Sequence, residues 1–352
     1  MDARLSAHAA HFEKQAEWCE LLGSPFNAAL LRGLAGHIGQ RGILDHLLLG
    51  GETPLSPEAA DAGPLRIAGA LHAMTLNGKD PALSALYPSA CPDWDMADVL
   101  PTALTALEAH QDWVAEFILS PPQTNETRRS IALLAGFATL KGPLHLREIG
   151  ASAGLNLHWD SFGYDGGSWS RAGAPGAPLI STDWSGPPPD LPDRFEIASR
   201  RGCDRAPLDI TNAEHRLRLT AYIWPDQTDR IERLSAAISI ALEKGVDVEQ
   251  ADAADWLERE LSGPLPEGTA VIYHSIAWQY FDAVSDARAR AAIEAAGARA
   301  DAAHRLAWLR FEHGRLFGGA DKAHKVDLVT WPGGARRDIA LAGPHAHDVR
   351  LL

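Results

Sequence analysis

Through the first 140 residues the apolar positions recur every three or four places, the period of a helix with one buried face. In "FEKQAEWCELL" this spacing puts Phe12, Ala16, Cys19 and Leu22 on one stripe. "SPFNAALLRGLAGHI" opens with Ser24 as a cap and Pro25 at the first helical position, where no N–H is needed. "MADVLPTALTALEAHQDWVAEFIL" continues the pattern, with Pro101 marking a boundary. "SPPQTNETRRSIALLAGFATL" reads as a loop, a capping Thr124 or Asn125, and another apolar helix. His8 and His11, about one helical turn apart, are expected to face solvent.

After Lys141-Gly142-Pro143 the pattern changes. "LHLREI" is a short apolar strand, followed by a glycine loop and by "LNLHWDSF", which opens a helix. Residues 163–192 are rich in Gly, Pro, Ser and Trp, too long for an ordinary connection, and read as a lid-like insertion. "FEIAS" predicts a strand, and "RLRLTAYIW" a second one, alternating through Leu217, Leu219, Ala221 and Ile223. "TDRIERLSAAISIALEKG" is an amphipathic helix, and "VDVEQADAADWLERELSG" a strand, an Asp-rich turn and a helix. "TAVIYHS" is a buried strand, "DARARAAIEAAGARA" a helix and "HRLAWLRFE" a strand. "KVDLVTWPGGARRDIALAG" is a hairpin turning at Pro332-Gly333-Gly334. The expectation is an α/β chain: a helical cap domain over 1–140, then a doubly wound, Rossmann-like sheet over 141–352 ending in an antiparallel hairpin. That combination resembles the class I S-adenosylmethionine-dependent methyltransferase fold.

Composition narrows the field. The chain has 352 residues, 46% hydrophobic and 22% charged, which is ordinary for a globular protein. Its apolar runs, such as "IALLAGFATL", are too short to span a bilayer, and the N-terminus lacks a signal-like apolar core. No membrane partner and a cytoplasmic location are therefore expected. The net charge of −14, without a basic stripe, argues against nucleic acid. Three distant cysteines suggest neither a disulfide framework nor zinc. His345-x-His347-Asp348 has ligand types but too few of them, so no metal is expected.

The chemistry centres on "LHLREIGASAGLNLHWD". Gly150-Ala151-Ser152-Ala153-Gly154 fits G-x-S-x-G, the turn that presents a hydrolase's serine. With Glu148 the same letters form a near-match to a nucleotide-cradling glycine loop. A hydrolase elbow follows several strands and an oxyanion loop, whereas a single strand precedes Ser152. The cofactor reading uses more residues. Gly150 and Gly154 permit the turn, Glu148 accepts from an ammonium group, and Ser152 and Asn156 face the ligand. Asp204, with Asp209 as the alternative, stands where a ribose would be held, and Asp252 with Ala253 where an adenine amine would be. His274 ends a central strand, where α/β sheets place ligands, and with neighbouring Tyr273 it is the candidate catalytic group. S-adenosylmethionine is the expected cofactor and a small molecule the expected methyl acceptor. The alternatives are a non-catalytic binder of S-adenosylmethionine or S-adenosylhomocysteine, and a serine hydrolase using Ser152.

"QTNETRRS", "LREIGASAGLNL", "GCDRAPLDIT", "IWPDQTDRIERLSAA" and "VIYHSIAWQY" together resemble the bacterial family called domain of unknown function 2332. The resemblance covers roughly residues 10 to 345, and it implies that Asn125, Glu126 and Arg129 roof a pocket and read the acceptor. Trp224 and Gln227, in a loop leaving a predicted strand, are further candidates for the pocket wall. The ending "GPHAHDVRLL" departs from the family's usual tail, which bears on the acceptor rather than the cofactor.

Overall fold

The computed structural model describes residues 2–50, 54–58, 61–318 and 323–352. Helices α1 (Ala3–Leu21), α2 (Pro25–Ala35), α3 (Ile43–Leu49), α4 (Gly63–Leu76), α5 (Pro81–Ser84), α6 (Met96–Ala109) and α7 (Gln111–Phe117) come first. Helix α8 (Arg129–Phe137) leads into strand β1 (Leu144–Ile149) and a 3₁₀ turn over Leu155–Ser161. The short strands β2 (Gly163–Asp165), β3 (Ser170–Arg171), β4 (Leu179–Ser181) and β5 (Asp183–Ser185) follow. Then come β6 (Ile197–Asp204), α9 (Ala213–Ala221), α10 (Thr228–Lys244), β7 (Val248–Gln250), α11 (Ala253–Glu260) and β8 (Gly268–Ser275). The chain closes with α12 (Ala283–Gly297), β9 (His304–His313), β10 (His324–Trp331), β11 (Ala335–Ala342) and β12 (Asp348–Leu351).

Contacts divide the chain into two units, 1–124 with 212–232, and 125–211 with 233–352. Residues 125–140, grouped with the helical region on sequence, thus belong with the sheet, and 212–232 belong with the helices. In the helical unit Phe12, Ala16 and Cys19 are buried as their spacing predicts, beside Phe26, Leu30 and Leu71. Ser24 caps α2, its hydroxyl accepting from Asn27 N–H at 3.3 Å, while Asp226 accepts from Phe26 N–H at 2.9 Å.

Three expectations change here. His8 does not face solvent; it is fully buried, and desolvation lowers its pKa. Pro101 lies inside α6 rather than at its end. "RLRLTAYIW" is helical through Ala221 as part of α9, not a strand, because Asn212 accepts from Glu214 N–H at 2.8 Å and starts a helix that buries Leu219 and Ala221.

The second unit holds a nine-stranded sheet in the order β5-β12-β11-β10-β9-β8-β1-β6-β7. From β7 to β9 neighbouring strands are parallel; β10, β11 and β12 then alternate antiparallel. The α/β class and the closing hairpin through Pro332-Gly333-Gly334 are therefore as the pattern predicts. Strand β8 is buried from Gly268 to His274, as a parallel strand covered on both faces must be. In the hairpin, fully buried Asp327 accepts from Arg310 Nε and Arg336 Nε, each at 2.6 Å. The 163–192 segment, expected as a lid, forms a three-stranded sheet β3-β2-β4, and its last strand β5 lies along β12 at the far edge of the large sheet. Among the described residues no helix is long and apolar enough to cross a membrane.

Candidate functional site

Strand β1 has β6 on one side and β8 on the other, so the chain reverses its direction of travel across the sheet at β1. The carboxyl ends of β1 and β8 flank the crevice where such sheets bind ligands. Glu148 on β1 stands level with Tyr273 on β8.

The glycine loop begins one residue after β1 ends. Gly150 has φ +66°, and a Cβ there would lie 2.6 Å from Ala277 Cβ. Gly154 has φ +72°, and its Cβ would lie 2.3 Å from Val246 Cγ1. Both glycines are thus required by the turn and by packing against this chain's own side chains. The loop amides are also engaged. Ala151 N–H donates to Cys203 O at 3.0 Å and Gly154 N–H to Ala151 O at 2.7 Å. Ser152 N–H donates to Asp204 Oδ2 at 2.8 Å, and Leu155 N–H to Asn125 Oδ1 at 3.0 Å. A loop tied down in this way is poorly suited to a phosphate, which needs those amides free.

Beneath the loop lies a buried polar centre. Glu148 is 3% exposed and accepts from the Tyr273 hydroxyl at 3.3 Å; the same hydroxyl lies 3.2 Å from Asn156 O. Burial pushes the Glu148 carboxyl well above the usual carboxylate range; the Tyr273 hydrogen bond opposes this and the Asp204 charge adds to it. Among the described residues no Lys, Arg or His side chain pairs with Glu148. Asn156 donates through Nδ2 to Glu126 O at 3.3 Å, leaving its Oδ1 buried without a partner among the described residues. The Ser152 hydroxyl is also buried and unpartnered. Buried polar atoms left so are unusual in a folded protein and mark a place where a ligand or water completes the bonding.

The acidic candidates separate. Asp204 ends β6, half-buried, and accepts from Ser152 N–H and from Ala206 N–H at 3.0 Å. A carboxylate has about four acceptor positions, so capacity remains. Asp209 is exposed and accepts from Thr211 N–H at 2.8 Å. Asp252 caps α11, accepting from Ala254 N–H at 2.9 Å, with Ala253 the first helical residue. Replacing Asp204 by alanine strands two amides and is expected to cost about 1–3 kcal/mol, read from urea unfolding. A stability matching the unaltered protein would show that Asp204 does not hold the loop.

His274 is 1% exposed, with Nδ1 2.7 Å from Glu312 Oε1. The Trp308 indole N–H donates to its Nε2 at 3.1 Å. An indole nitrogen only donates, so Nε2 carries no proton and Nδ1–H points at Glu312. Both ring nitrogens are engaged, and no proton-accepting position faces a ligand. The expected catalytic base is therefore a fixed structural histidine, stacked on Trp278 at 4.9 Å. Burial raises the Tyr273 phenol well above its ordinary range, and neighbouring Glu148 adds to this, so Tyr273 positions Glu148 rather than removing protons. Tyr280 is 74% exposed.

The 125–129 segment does reach this end of the sheet. Asn125, foreseen as a helix cap, instead holds the glycine loop, and α8 begins at Arg129. Glu126 is buried, with Oε1 accepting from Arg128 N–H at 3.1 Å and Oε2 3.6 Å from His345 Nδ1. Arg129 donates to Ser275 O at 3.3 Å and to Pro344 O at 3.1 Å. Trp224 and Gln227 belong to the helical unit, where Gln227 Nε2 donates to Leu22 O at 3.1 Å and Trp224 packs on the helical core. Sequence reading missed Glu312 and Trp308, and weighed His345 as a metal-ligand type rather than as a partner of Glu126. Each reaches the site through a strand or tail distant along the chain, and no local pattern marks it.

The hydrolase reading gains one feature and lacks another. Ser152 has the positive φ of a strained elbow, +54°. Yet among the described residues no histidine hydrogen-bonds its hydroxyl, and without a base a serine is a weak nucleophile. Among the described residues no three His, Cys, Asp or Glu side chains gather as a metal site.

A family model described as "uncharacterized protein conserved in bacteria" matches residues 9–350. No curated protein shows significant similarity to the chain, and no solved structure does.

Proposed function

Because the chain belongs to the bacterial family DUF2332, whose description carries no activity, we propose its function from the crevice: it binds S-adenosylmethionine and transfers the methyl group to a small-molecule acceptor. The observation that carries this reading is Glu148, a buried carboxyl near the end of β1 with no cation beside it among the described residues. A ligand bringing an ammonium group supplies the missing charge, and a charge-assisted bond in such a place is strong.

Further support comes from order across the sheet. Glu148, Asp204 and Asp252 lie at or just beyond the carboxyl ends of β1, β6 and β7, three adjacent strands. A ligand laid across them would meet Glu148 with its amine, the spare acceptors of Asp204 with its ribose hydroxyls, and the start of α11 at Asp252 and Ala253 with its adenine. Ser152 Oγ and Asn156 Oδ1, both without partners among the described residues, would serve the amino-acid end in this reading. Asn125, Glu126 and Arg129 stand on the acceptor side of this reading.

When bound, the cofactor supplies an electrophilic methyl group. The chain's own contribution is alignment of the reacting atoms, which alone gives large accelerations. Neither His274 nor Tyr273 offers a base, so an acceptor that must lose a proton would give it to Glu126 on the acceptor side or to water. The same shortage favours the second reading, a non-catalytic binder of S-adenosylmethionine or S-adenosylhomocysteine. Calorimetry with each compound, followed by a methyl-release assay on pooled metabolites, separates the two. Saturable binding with release supports the transferase. Binding without release assigns the sensor, and absence of binding to either compound removes both.

A further inference from the structure

Strand β6 pairs with β1 along its length but with β7 only from Gly202 to Asp204, so among the described residues Ile197–Arg201 has no strand on its outer side. Beside this open stretch lies a groove of about 480 Å³ lined by His158, Arg200, Lys244 and Asp247, with Leu157 and Val246 as apolar wall. Its polar groups are unevenly satisfied. Arg200 Nη2 donates to Asp160 Oδ2 at 2.9 Å, while Arg200 Nη1 is buried with no partner among the described residues. Lys244 donates to Ser161 Oγ at 2.8 Å, and among the described residues no ion pair engages it. Asp247 is matched by Arg201 Nε at 3.1 Å.

His158 fixes the chemistry of what fits. The residue is 2% exposed, with Nε2 2.9 Å from Gly245 O. A carbonyl only accepts, so Nε2 carries the proton and Nδ1 of the neutral ring is an acceptor. Nδ1 is buried and unpartnered. Burial lowers the His158 pKa, with Arg200 and Lys244 adding to the fall, which keeps the ring neutral near pH 7. The groove therefore presents cationic donors from Arg200 and Lys244 next to an acceptor on His158.

We propose that this groove binds the phosphate group of a small phosphomonoester, whose oxygens accept from Arg200 and Lys244 while its remaining hydroxyl donates to His158. A phosphomonoester carries that hydroxyl below its second ionisation at about pH 6, while the inorganic ion, with one more ionisable proton, still carries one at neutral pH. Sulfate has the same shape and no proton to give. The groove is larger than a phosphate group, and Leu157 and Val246 are placed for the organic remainder.

Phosphorus NMR and calorimetric titration of the full chain with inorganic phosphate, against sulfate at equal ionic strength, tests this. Phosphate should bind one to one at neutral pH, with sulfate weaker by about tenfold or more for want of the donated hydrogen bond. Lys244→Ala, a change at an exposed position expected to leave the fold intact, should weaken phosphate by a similar factor. His158→Phe should erase the preference for phosphate over sulfate. Equal binding of the two anions, binding unaffected by Lys244→Ala, or no binding at all would overturn the assignment. None of these readouts involves methyl transfer, so the result stands apart from the reading of the β1–β8 crevice.

Discussion

Glu148→Gln is expected to weaken S-adenosylmethionine binding by about 10- to 100-fold, the loss of one charge-assisted contact in a buried site. Glutamine keeps the shape and an acceptor for the Tyr273 hydroxyl but cannot carry charge, so the change isolates electrostatics from packing. The pH dependence follows from the raised carboxyl. In the free protein Glu148 holds its proton to higher pH than an ordinary carboxyl because it is buried. An ammonium ligand prefers the ionised form, so binding expels that proton, and affinity rises with pH until the raised pKa is passed. Titrations in buffers of different ionisation enthalpy should detect proton release in the unaltered protein and less of it in the variant. Linkage fixes the companion sign for stability. A carboxyl whose folded pKa exceeds its unfolded value favours folding at low pH, and that contribution is lost as pH rises through the folded pKa. Ligand-free Glu148→Gln should therefore be no less stable than the unaltered protein at pH 7–8. A variant that binds the cofactor with unchanged affinity would remove Glu148 from the site.

The elements whose order a local pattern dictates were legible in the chain. Strand β1, the glycine turn, β8 and the hairpin at Pro332-Gly333-Gly334 each follow from a run of apolar residues bounded by residues that break it. Helix α9 was not, because Leu217, Leu219 and Ala221 alternate like a strand. The deciding signal is the cap at Asn212, one residue ahead of the helix. The buried state of His8 is a tertiary outcome that its own segment does not announce.

In the site the same division holds. Glu148 was readable because a strand end followed by a glycine turn fixes where its side chain must lie. The role of the glycines was half readable: the turn was foreseen, but not that Ala277, Val246 and Val248 occupy the space beside their α-carbons. Asn125 looks like a cap to a reader of sequence and acts as one, but for Leu155 N–H thirty residues on. Whether His274 is a base or a strut depended on Glu312 and Trp308, both on β9, and hence on strand pairing that no local pattern specifies.

That strut gives the largest expected effect on folding. Glu312 is fully buried, and its Oε1 accepts from His274 Nδ1, from Ala277 N–H at 2.8 Å and from Trp278 N–H at 2.9 Å. Glu312→Ala strands all three donors and should cost about 3–5 kcal/mol, measured by urea unfolding. Glu312→Gln keeps an acceptor and should cost less. Burial alone would raise this carboxyl, but the hydrogen bond from His274, with the Trp278 and Ala277 amides, outweighs it and holds the pKa below its ordinary value of 4.5. The folded value thus lies below the unfolded one, so the stabilisation is complete above about pH 4.5 and disappears as pH falls through the lower folded value. Between pH 6 and pH 3 the unaltered protein should lose stability more steeply than Glu312→Gln, and parallel acid limbs would contradict the assignment. Ala277 is also the residue against which Gly150 rests, so a loosened Glu312 turn removes the support of the glycine loop. Glu312→Gln should consequently weaken S-adenosylmethionine binding even though Glu312 touches no ligand, and it should do so without altering the pH dependence that belongs to Glu148.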